Sequence, residues 1–419
     1  MASSSPFWHP FANMGEPPES RLTIVRGEGA CVYDAGGREY VDAIASLWYC
    51  NVGHGRAELA DAAREQMRTL AAYQTFELYT SPPVAELAER VAALVPVPGA
   101  RVFFTSGGSE SVDTAVKLAR AYWVAAGRPD KNVVLSRRLA YHGMNVYGTS
   151  LGGIPANRAG YEPLVSLTEQ VPWDDAGALR EALERIGPER VAAFFCEPVI
   201  GAGGVIHPPP GYLAEVEAIC RSHDVLFVVD EVITGFGRLG EWFASGRFGL
   251  APDIVTVAKG ISSGYVPLGA VIAGERVAEP FWRPGTDAVF RHGYTYSGHT
   301  TACAVALANL DILERERLVE RVRELEPLLA SALRPLASHP LVAEVRAGLG
   351  LLAAVEIRAD ALAERPGLVV QLAAEARRQG VLTRGLRGVA LQVSPPFVVS
   401  EAQLDLIAGA FGAALDAVS

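Results

Sequence analysis

Short apolar runs alternate with amphipathic segments through the middle of this 419-residue chain. Runs rich in β-branched and other apolar residues predict buried strands, at residues 101–105, 132–136, 191–195, 225–229 and 254–257. Helical spacing of apolar positions predicts helices, at residues 57–70, 82–94, 111–126 and 212–223. Because strands and helices alternate from about residue 101 to 275, we expect an α/β fold with a largely parallel sheet flanked by helices.

The flanking regions predict smaller units. Four prolines in residues 1–20 predict an irregular arm, and glycine-broken apolar runs in residues 21–41 predict a small meander of strands. Residues 46–50 and 148–160 predict loops. After residue 300 the pattern predicts helices at 301–313, 318–336, 368–379 and 401–414, with strands at 348–355 and 391–393. We therefore expect an N-terminal arm with part of a small domain (1–50), a large domain (51–313) and a C-terminal small α+β domain (314–419).

Four polar or charged residues stand where predicted strands end: Thr105, Glu197, Asp230 and Lys259. In a largely parallel sheet these ends meet at one edge, which is where such sheets bind ligands. A lysine that ends a buried strand is costly to keep charged. Lys259 alone leaves two interpretations open: a surface lysine that extends to solvent, or an amine that works uncharged. Asp230 likewise fits either a salt-bridged carboxylate or a functional one.

A glycine turn, residues 106–110, joins the first strand of this region to a helix. Backbone N–H groups at a helix N-terminus attract anions, and glycine allows a close approach. Ser109 can add a hydroxyl. The alternative is an ordinary strand-to-helix turn with a serine cap.

Charge and cysteine content limit which binding partners and which cellular compartment are expected. The net charge is −10, which argues against nucleic acid or an anionic membrane as the main partner. Five widely spaced cysteines suggest reduced thiols in a cytoplasmic protein. The first ten residues lack the pattern of a signal peptide, and no apolar run has transmembrane length. No metal site is expected.

Three of these features together match the needs of pyridoxal phosphate (PLP), which requires a lysine, a carboxylate near the pyridine nitrogen and a phosphate site. Lys259, Asp230 and the glycine turn at Gly107, Gly108 and Ser109 fit these roles in chain order. The sequence separation of 29 residues from Asp230 to Lys259 leaves room for one crossover and the next strand.

On these motifs the chain resembles the class III aminotransferases of PLP fold type I. The resemblance covers nearly the whole chain, and it rests on the segments Thr105–Glu110, Tyr141–Gly143, Glu197–Gly204, Asp230–Arg238, Ala258–Gly260 and Thr295–His299. One departure lies in the phosphate turn, where Gly107 stands in place of the more usual serine. Part of the phosphate contact then passes to backbone or water.

The resemblance implies roles for particular residues. Lys259 would be the Schiff-base lysine and the proton-moving base, Asp230 the pyridinium partner, and Tyr141 would stack on the ring. These three are the expected catalytic residues. The expected cofactor-binding residues are Gly107, Gly108, Ser109, Tyr141, His142, Glu197, Asp230, Val232, Lys259 and Thr295. Thr295 would reach the phosphate of a neighbouring chain's cofactor, which implies a homodimer.

Within the family the chain looks most like the amine:pyruvate, or ω-, transaminases. The ornithine and 4-aminobutyrate branches carry a glutamate where this chain has Ala202. The resemblance implies that an arginine near the C-terminus, Arg384 or its neighbour Arg387, binds the carboxylate of a 2-oxo acid. The expected substrate-binding residues are Trp48, Ala202, Ile233, Tyr294 and Arg384.

The predicted activity is therefore transfer of an amino group from a primary amine or ω-amino acid to pyruvate, with (S) selectivity. Two alternatives stay open. One is a biosynthetic class III aminotransferase, of diaminopelargonate or specialised-metabolite type, and the other is a non-catalytic PLP- or nucleotide-binding module.

Overall fold

A computed structural model describes residues 6–15 and 21–419. Its strands form three sheets within the described ranges. The N-terminal meander is confirmed by β1 (Ile24–Glu28), β2 (Cys31–Asp34) and β3 (Glu39–Asp42). Residues 6–15 contain turns and no regular element, as predicted for the arm, whose residues 1–5 and 16–20 lie outside the described ranges.

The central sheet has seven strands: β4 (Arg101–Thr105), β5 (Val133–Arg137), β6 (Thr168–Val171), β7 (Val191–Cys196), β8 (Leu226–Asp230), β9 (Ile254–Val257) and β10 (Gly269–Ala273). Their spatial order is β4-β10-β9-β8-β7-β5-β6. Six of the seven strands run in the same direction, and β10 alone runs opposite to them. The predicted largely parallel sheet is confirmed, and the carboxyl ends of β4, β7, β8 and β9 meet at one edge.

The remaining strands belong to the C-terminal part of the chain: β11 (Val342–Arg346), β12 (Ala353–Ile357), β13 (Val381–Leu382), β14 (Gly385–Leu386) and β15 (Ala390–Val393). Four of them form the third sheet, whereas β13 pairs in parallel with β3 of the N-terminal meander. This pairing joins the N-terminal meander to the C-terminal part of the chain. The three domain boundaries stay predictions.

Helices surround the sheets. In chain order they are α1 (Ala45–Trp48), α2 (Ala57–Leu70), α3 (Pro82–Leu94), α4 (Gly108–Ala125), α5 (Val146–Leu151), α6 (Pro155–Arg158), α7 (Ala176–Ile186), α8 (Tyr212–Ser222), α9 (Ala244–Phe248), α10 (Glu275–Trp282), α11 (Thr300–Arg315), α12 (Leu318–Leu333), α13 (Ala359–Glu364), α14 (Leu368–Arg378) and α15 (Glu401–Ala417). In the described part of the chain, no helix has both the length and the apolar character needed to cross a membrane.

Neighbouring strand residues face opposite helix layers. Phe194 of β7 packs into the core that α7 and α8 cover. Phe195, the next residue, packs into the core around α4 and Trp123. This alternation follows from the two-residue period of a strand. It explains why the strands of this sheet are apolar on both faces.

Two local predictions were wrong, at residues 148–160 and 348–355. Residues 148–160 are not a plain loop, because α5 and α6 occupy most of them. Gly148 is needed there for close packing, since a Cβ atom would lie 2.4 Å from the carbonyl oxygen of His142. The loop predicted at residues 46–50 is confirmed: they overlap the short element α1, but Ser46 and Leu47 inside it have non-helical φ and ψ angles. The strand predicted at 348–355 begins later, at Ala353, because Gly348 and Gly350 take positive φ angles.

Candidate active site

A cavity of about 980 Å³ opens at the edge of the sheet where β7, β8 and β9 end. Predicted site residues from the central part of the chain and from its two ends line this cavity. From the central part of the chain come Gly108, Ser109, Tyr141, His142, Glu197, Ala202, Asp230, Val232, Ile233 and Lys259, and from the two ends come Trp48, Arg384 and Arg387. The convergence of distant strand ends, expected from the alternation of strands and helices, is what the structure shows.

Lys259 follows β9 at the floor of the cavity, with a backbone φ of 47°. Among the described residues its ammonium forms no hydrogen bond or ion pair, and it lies 5.5 Å from the ring centroid of Trp48. Burial lowers the pKa of Lys259 to about 8, although the carboxylates of Asp230 and Glu197 oppose this shift. A large share of this amine is therefore uncharged in mildly alkaline solution, as a nucleophilic lysine requires.

Asp230 ends β8 with its carboxylate held on both oxygens. Oδ2 lies 2.8 Å from Nδ1 of His142. Oδ1 accepts hydrogen bonds from the hydroxyl of Thr256 at 3.0 Å and from the backbone N–H of Val232 at 3.1 Å. Thr256 stands opposite Asp230 in the β8–β9 register, so the sheet itself fixes this contact.

Glu197 follows β7 and binds backbone rather than side chains. Its carboxylate accepts the N–H of Tyr141 at 2.9 Å and the N–H of Gly201 at 3.0 Å. Burial raises the pKa of Glu197, and the nearby charge of Asp230 adds to the rise. By holding the backbone of Tyr141, this carboxylate fixes one wall of the cavity.

The N-terminus of α4 faces the same cavity through Gly108 and Ser109. The first N–H groups of an α-helix have no partner within the helix and can bind an anion. The Ser109 hydroxyl oxygen accepts the N–H of Met144 at 3.1 Å, which fixes the serine beside this end. Gly143 packs against it so tightly that a Cβ atom would lie 2.5 Å from the Ser109 oxygen.

These residues fit pyridoxal phosphate. In the described part of the chain, an amine without a hydrogen-bond partner, an oriented carboxylate and a helix N-terminus face one cavity, and the cofactor needs all three. Lys259 would hold its aldehyde carbon, Asp230 would lie at its ring nitrogen, and the first turn of α4 with Ser109 would bind its phosphate.

One side of the cavity combines an aromatic wall with a cation. The guanidinium carbon of Arg384 lies 4.7 Å from the ring centroid of Trp48. Its Nε is buried without a hydrogen-bond partner among the described residues, and burial lowers the pKa of Arg384. Arg387 also reaches the cavity, but its Nε donates to the carbonyl oxygen of Gly203. Arg384 is therefore the arginine that is free to bind a ligand.

Three predicted residues do not line this chain's cavity. Gly107 precedes α4 as its N-cap residue. Tyr294 points to α4, where its hydroxyl lies 3.2 Å from that of Thr114. Thr295 is exposed in a turn. Their assignments to the site stay predictions.

Sequence reasoning missed several residues of the site. Thr256 escaped notice inside an apolar strand, although a lone polar residue near a strand end was a usable signal. Pro10, Phe11 and residues 154–157 also line the cavity. They belong to segments that glycine and proline mark as irregular, and no local pattern shows which side of the protein such segments cover.

Fold and site together define a PLP-dependent aminotransferase of fold type I. The chain belongs to the class III aminotransferases, whose family model, described as aminotransferase class-III, matches residues 13–415.

Relatives and solved structures agree with this assignment. The chain is 40% identical to the putrescine–pyruvate aminotransferase of Pseudomonas aeruginosa, over 94% of this chain and 91% of that protein. It is 43% identical to a thermostable (S)-enantioselective ω-transaminase from Thermomicrobium roseum, with a TM-score of 0.93 over 98% of this chain and 96% of that one. A PLP-bound amine transaminase from an uncultivated Pseudomonas species is 36% identical, with a TM-score of 0.94 over the full length of both chains.

Proposed function

We propose that this enzyme moves an amino group from a primary amine or ω-amino acid to pyruvate, in two half-reactions that share one cavity, and that it is (S)-selective. The observation that carries the proposal is the guanidinium of Arg384, which lies over the ring of Trp48 and has no hydrogen-bond partner among the described residues. A guanidinium binds a carboxylate through two parallel hydrogen bonds. The Trp48 ring offers an apolar surface to an amine that has no carboxylate.

When bound, pyridoxal phosphate supplies a protonated ring that accepts electrons as the carbon beside the substrate nitrogen loses a proton. The Nζ atom of Lys259, uncharged above its lowered pKa of about 8, would take that proton and return it. Asp230 would keep the ring nitrogen protonated. Tyr141, whose N–H is held by Glu197, would pack on the ring face.

The second half-reaction needs a carboxylate site in the same cavity. Arg384 would bind the carboxylate of pyruvate, and its aliphatic part would give way when an apolar amine enters. Ala202 lines the cavity and carries no charge, so this position offers no carboxylate to occupy Arg384 between half-reactions. This arrangement favours a monocarboxylic acceptor.

The relatives support the same substrates. The Pseudomonas aeruginosa relative is named for putrescine and pyruvate, and the Thermomicrobium roseum structure is described as (S)-enantioselective. We also propose a homodimer in which Thr295 reaches the neighbouring chain's cofactor phosphate, because Thr295 is exposed rather than directed into its own cavity. The cytoplasm remains the proposed compartment, supported by five cysteines that are all free.

The decisive experiment is the first half-reaction. Purified holoenzyme is mixed with a primary amine and no acceptor, and the visible spectrum should show conversion of the cofactor to its amine form. Lys259→Ala should bind some PLP and convert none of it. Lys131→Met is a matched control, because burial also lowers the pKa of Lys131 to about 8 but its ammonium donates to the carbonyls of Pro188 and Asp224.

A second assay separates the amine:pyruvate function from its biosynthetic alternative. The amine-form enzyme is offered pyruvate or 2-oxoglutarate, and the PLP form is offered S-adenosylmethionine as donor. Fastest recovery with pyruvate supports the proposal. Turnover confined to S-adenosylmethionine would replace it with a diaminopelargonate-type activity, and no conversion by any primary amine would remove it.

A further inference from the structure

A hydrogen-bonded chain of four side chains joins α4 to the segment that carries Thr295. The ammonium of Lys117 lies 2.7 Å from Nδ1 of His292. Nε2 of the same ring lies 2.8 Å from the hydroxyl of Thr114. That hydroxyl lies 3.2 Å from the hydroxyl of Tyr294. Tyr294 in turn donates to the backbone carbonyl of Glu110 at 3.4 Å.

The donors in this chain are fixed by chemistry. An ammonium can only donate, so Nδ1 of His292 accepts and the ring is neutral. The hydrogen of the ring is then on Nε2 and donates to Thr114. The hydroxyl of Thr114 donates to Tyr294, and that of Tyr294 to Glu110. Every hydrogen in the sequence points the same way, from Lys117 towards the N-terminal end of α4.

Packing fixes the imidazole ring as well. Its plane lies nearly parallel to the ring of Phe103, at 17° and a centroid distance of 5.5 Å. Phe290 and Tyr294 contact its other sides, at centroid distances of 5.3 and 4.8 Å. A side chain that is stacked and bonded at both nitrogens holds its backbone in one place.

The bonded residues of α4 lie on one face of the helix. Glu110, Thr114 and Lys117 are spaced by four and three residues, so they form a single stripe. The same helix presents Gly108 and Ser109 to the cavity. The stripe therefore ties residues 292–294 to the helix that would bind the phosphate of this chain's own cofactor.

Thr295 follows directly after this anchored segment. It begins a turn in which the backbone N–H of Ser297 donates to the carbonyl of Tyr294 at 3.0 Å, and the N–H of Tyr294 donates to the Ser297 hydroxyl at 3.1 Å. The threonine itself is exposed. Its position relative to α4 is thus set by the neighbouring Tyr294, and through Thr114 by His292.

We propose that His292 is a positioning residue that holds Thr295 in place for the phosphate of the partner chain's cofactor. This inference rests on the homodimer and on the role of Thr295 proposed above. His292 touches neither cofactor nor substrate, so its effect should appear in cofactor retention and not in the chemical step. One rigid helix would then serve two phosphates, its own at the N-terminus and the partner's through the bonded loop.

The test measures how fast the holoenzyme loses PLP in cofactor-free buffer with excess unrelated PLP-binding protein as a trap. His292→Phe keeps a ring for stacking but removes both hydrogen bonds. Thr295→Val removes the hydroxyl at nearly constant volume. Each should speed PLP loss by about tenfold, the effect of one lost hydrogen bond to a charged group. The rate of the half-reaction in PLP-saturated His292→Phe enzyme should change by less than about twofold.

The double variant decides the mechanism. If His292 acts through Thr295, the two changes together should speed PLP loss no more than about twofold beyond either alone, because coupled residues are not additive. His292→Gln, which can still donate to Thr114, should lie between wild type and His292→Phe. Arg291→Ala is the matched control, since this neighbouring side chain is exposed, and it should match wild type.

Lys117→Met provides a second variant, because Lys117 is exposed and its loss should not prevent folding. It should also speed PLP loss. If His292→Phe and Lys117→Met both retain PLP as well as wild type, the inference is overturned. It is also overturned if the double variant of His292→Phe and Thr295→Val loses PLP at a rate raised by the product of the two single effects. If Thr295→Val retains PLP normally, the role of Thr295 and this inference both fail, while an intact half-reaction leaves the proposed transamination standing.

Discussion

Nδ1 of His142 lies 2.8 Å from Oδ2 of Asp230, although 88 residues separate the two in the chain. Thr256 and the N–H of Val232 hold the other carboxylate oxygen. The edge of the His142 ring packs on Phe195, and its Nε2 has no partner among the described residues. The carboxylate is therefore tethered at both oxygens and cannot turn away from the cavity.

This tether predicts a graded response to substitution. Asp230→Asn removes the charge that would stabilise a protonated ring nitrogen, and should slow the amine half-reaction by about 100-fold or more. His142→Leu only frees the carboxylate and should slow it by about tenfold. His142→Asn keeps a donor near the Nδ1 position and should recover part of the loss. Single-turnover spectra of PLP-saturated enzyme measure all three, and a His142→Leu rate equal to wild type would contradict the tether.

The lowered pKa of Lys259 predicts how apoenzyme takes up PLP. Only the uncharged amine attacks an aldehyde. The rate of reconstitution should therefore rise with pH and level off above a midpoint near 8, the pKa of Lys259. With a lysine of ordinary pKa the rate would continue to rise to higher pH. Stopped-flow absorbance on apoenzyme mixed with PLP gives this profile.

The charge of Glu197 should set part of the pKa of Lys259, and hence the midpoint of that pH profile. Its charge raises the pKa of Lys259, so Glu197→Gln removes a stabiliser of the ammonium and should move the midpoint to lower pH. A midpoint that stays fixed, or moves to higher pH, would show that these two groups do not interact as the structure implies.

Substitutions of Arg384 and Arg387 should distinguish effects on acceptor binding from effects on the amine half-reaction. Arg384→Ala removes hydrogen bonds to a carboxylate worth about 1.5–3 kcal/mol, so KM for pyruvate should rise by roughly 10- to 150-fold. The amine half-reaction should change little. Arg387→Ala, whose guanidinium is already engaged with Gly203, is the paired control. Equal pyruvate effects for both variants would show that Arg384 is not the specific site.

Trp48 predicts an unusual order of stabilities. It is 3% exposed and has a backbone φ of 63°, in the left-handed region. Trp48→Ala should cost about 3–5 kcal/mol in unfolding free energy. Trp48→Gly should be about 1 kcal/mol more stable than Trp48→Ala, because glycine adopts a positive φ without strain. Both should admit bulkier amines.

Phe104 is the control for that order. It is 5% exposed in the regular strand β4, so Phe104→Gly should be less stable than Phe104→Ala. Chemical denaturation of the four variants in the same buffer gives both differences. Finding glycine the less stable residue at position 48 would refute the strain at Trp48.

Gly143 should control the phosphate side of the site. Its φ is 91°, and an added Cβ would press on Ser109. Gly143→Ala should displace that serine and weaken PLP binding by about tenfold or more. Gly127→Ala carries the same kind of backbone strain, at φ 74°, but its Cβ would meet no atom within 4 Å. It should lose some stability and bind PLP normally, as equilibrium titration of apoenzyme would show.

The features of the fold and site that depend on local hydrophobic pattern could be predicted from the sequence. The apolar run 254–257 placed Lys259 at a strand end, and parallel topology then placed Asp230 beside it. The bond between His142 and Asp230 has no such signal, because it depends on how the loop that carries His142 folds over the end of β8. Two glycines led to opposite errors. Gly148 was assigned to a loop but packs tightly within a helix, whereas Gly350 was assigned to a strand but forms a turn. Only tertiary contacts distinguish these two uses.

Arg384 is carried by the short connection between β13 and β14, whereas Lys259 and Asp230 belong to the central sheet. The residue proposed to select the acceptor and the residues proposed to hold the cofactor thus lie in separate stretches of the chain. Exchange of this one short connection between two sheets would therefore change the preference for an oxo acid and leave the proton chemistry unchanged.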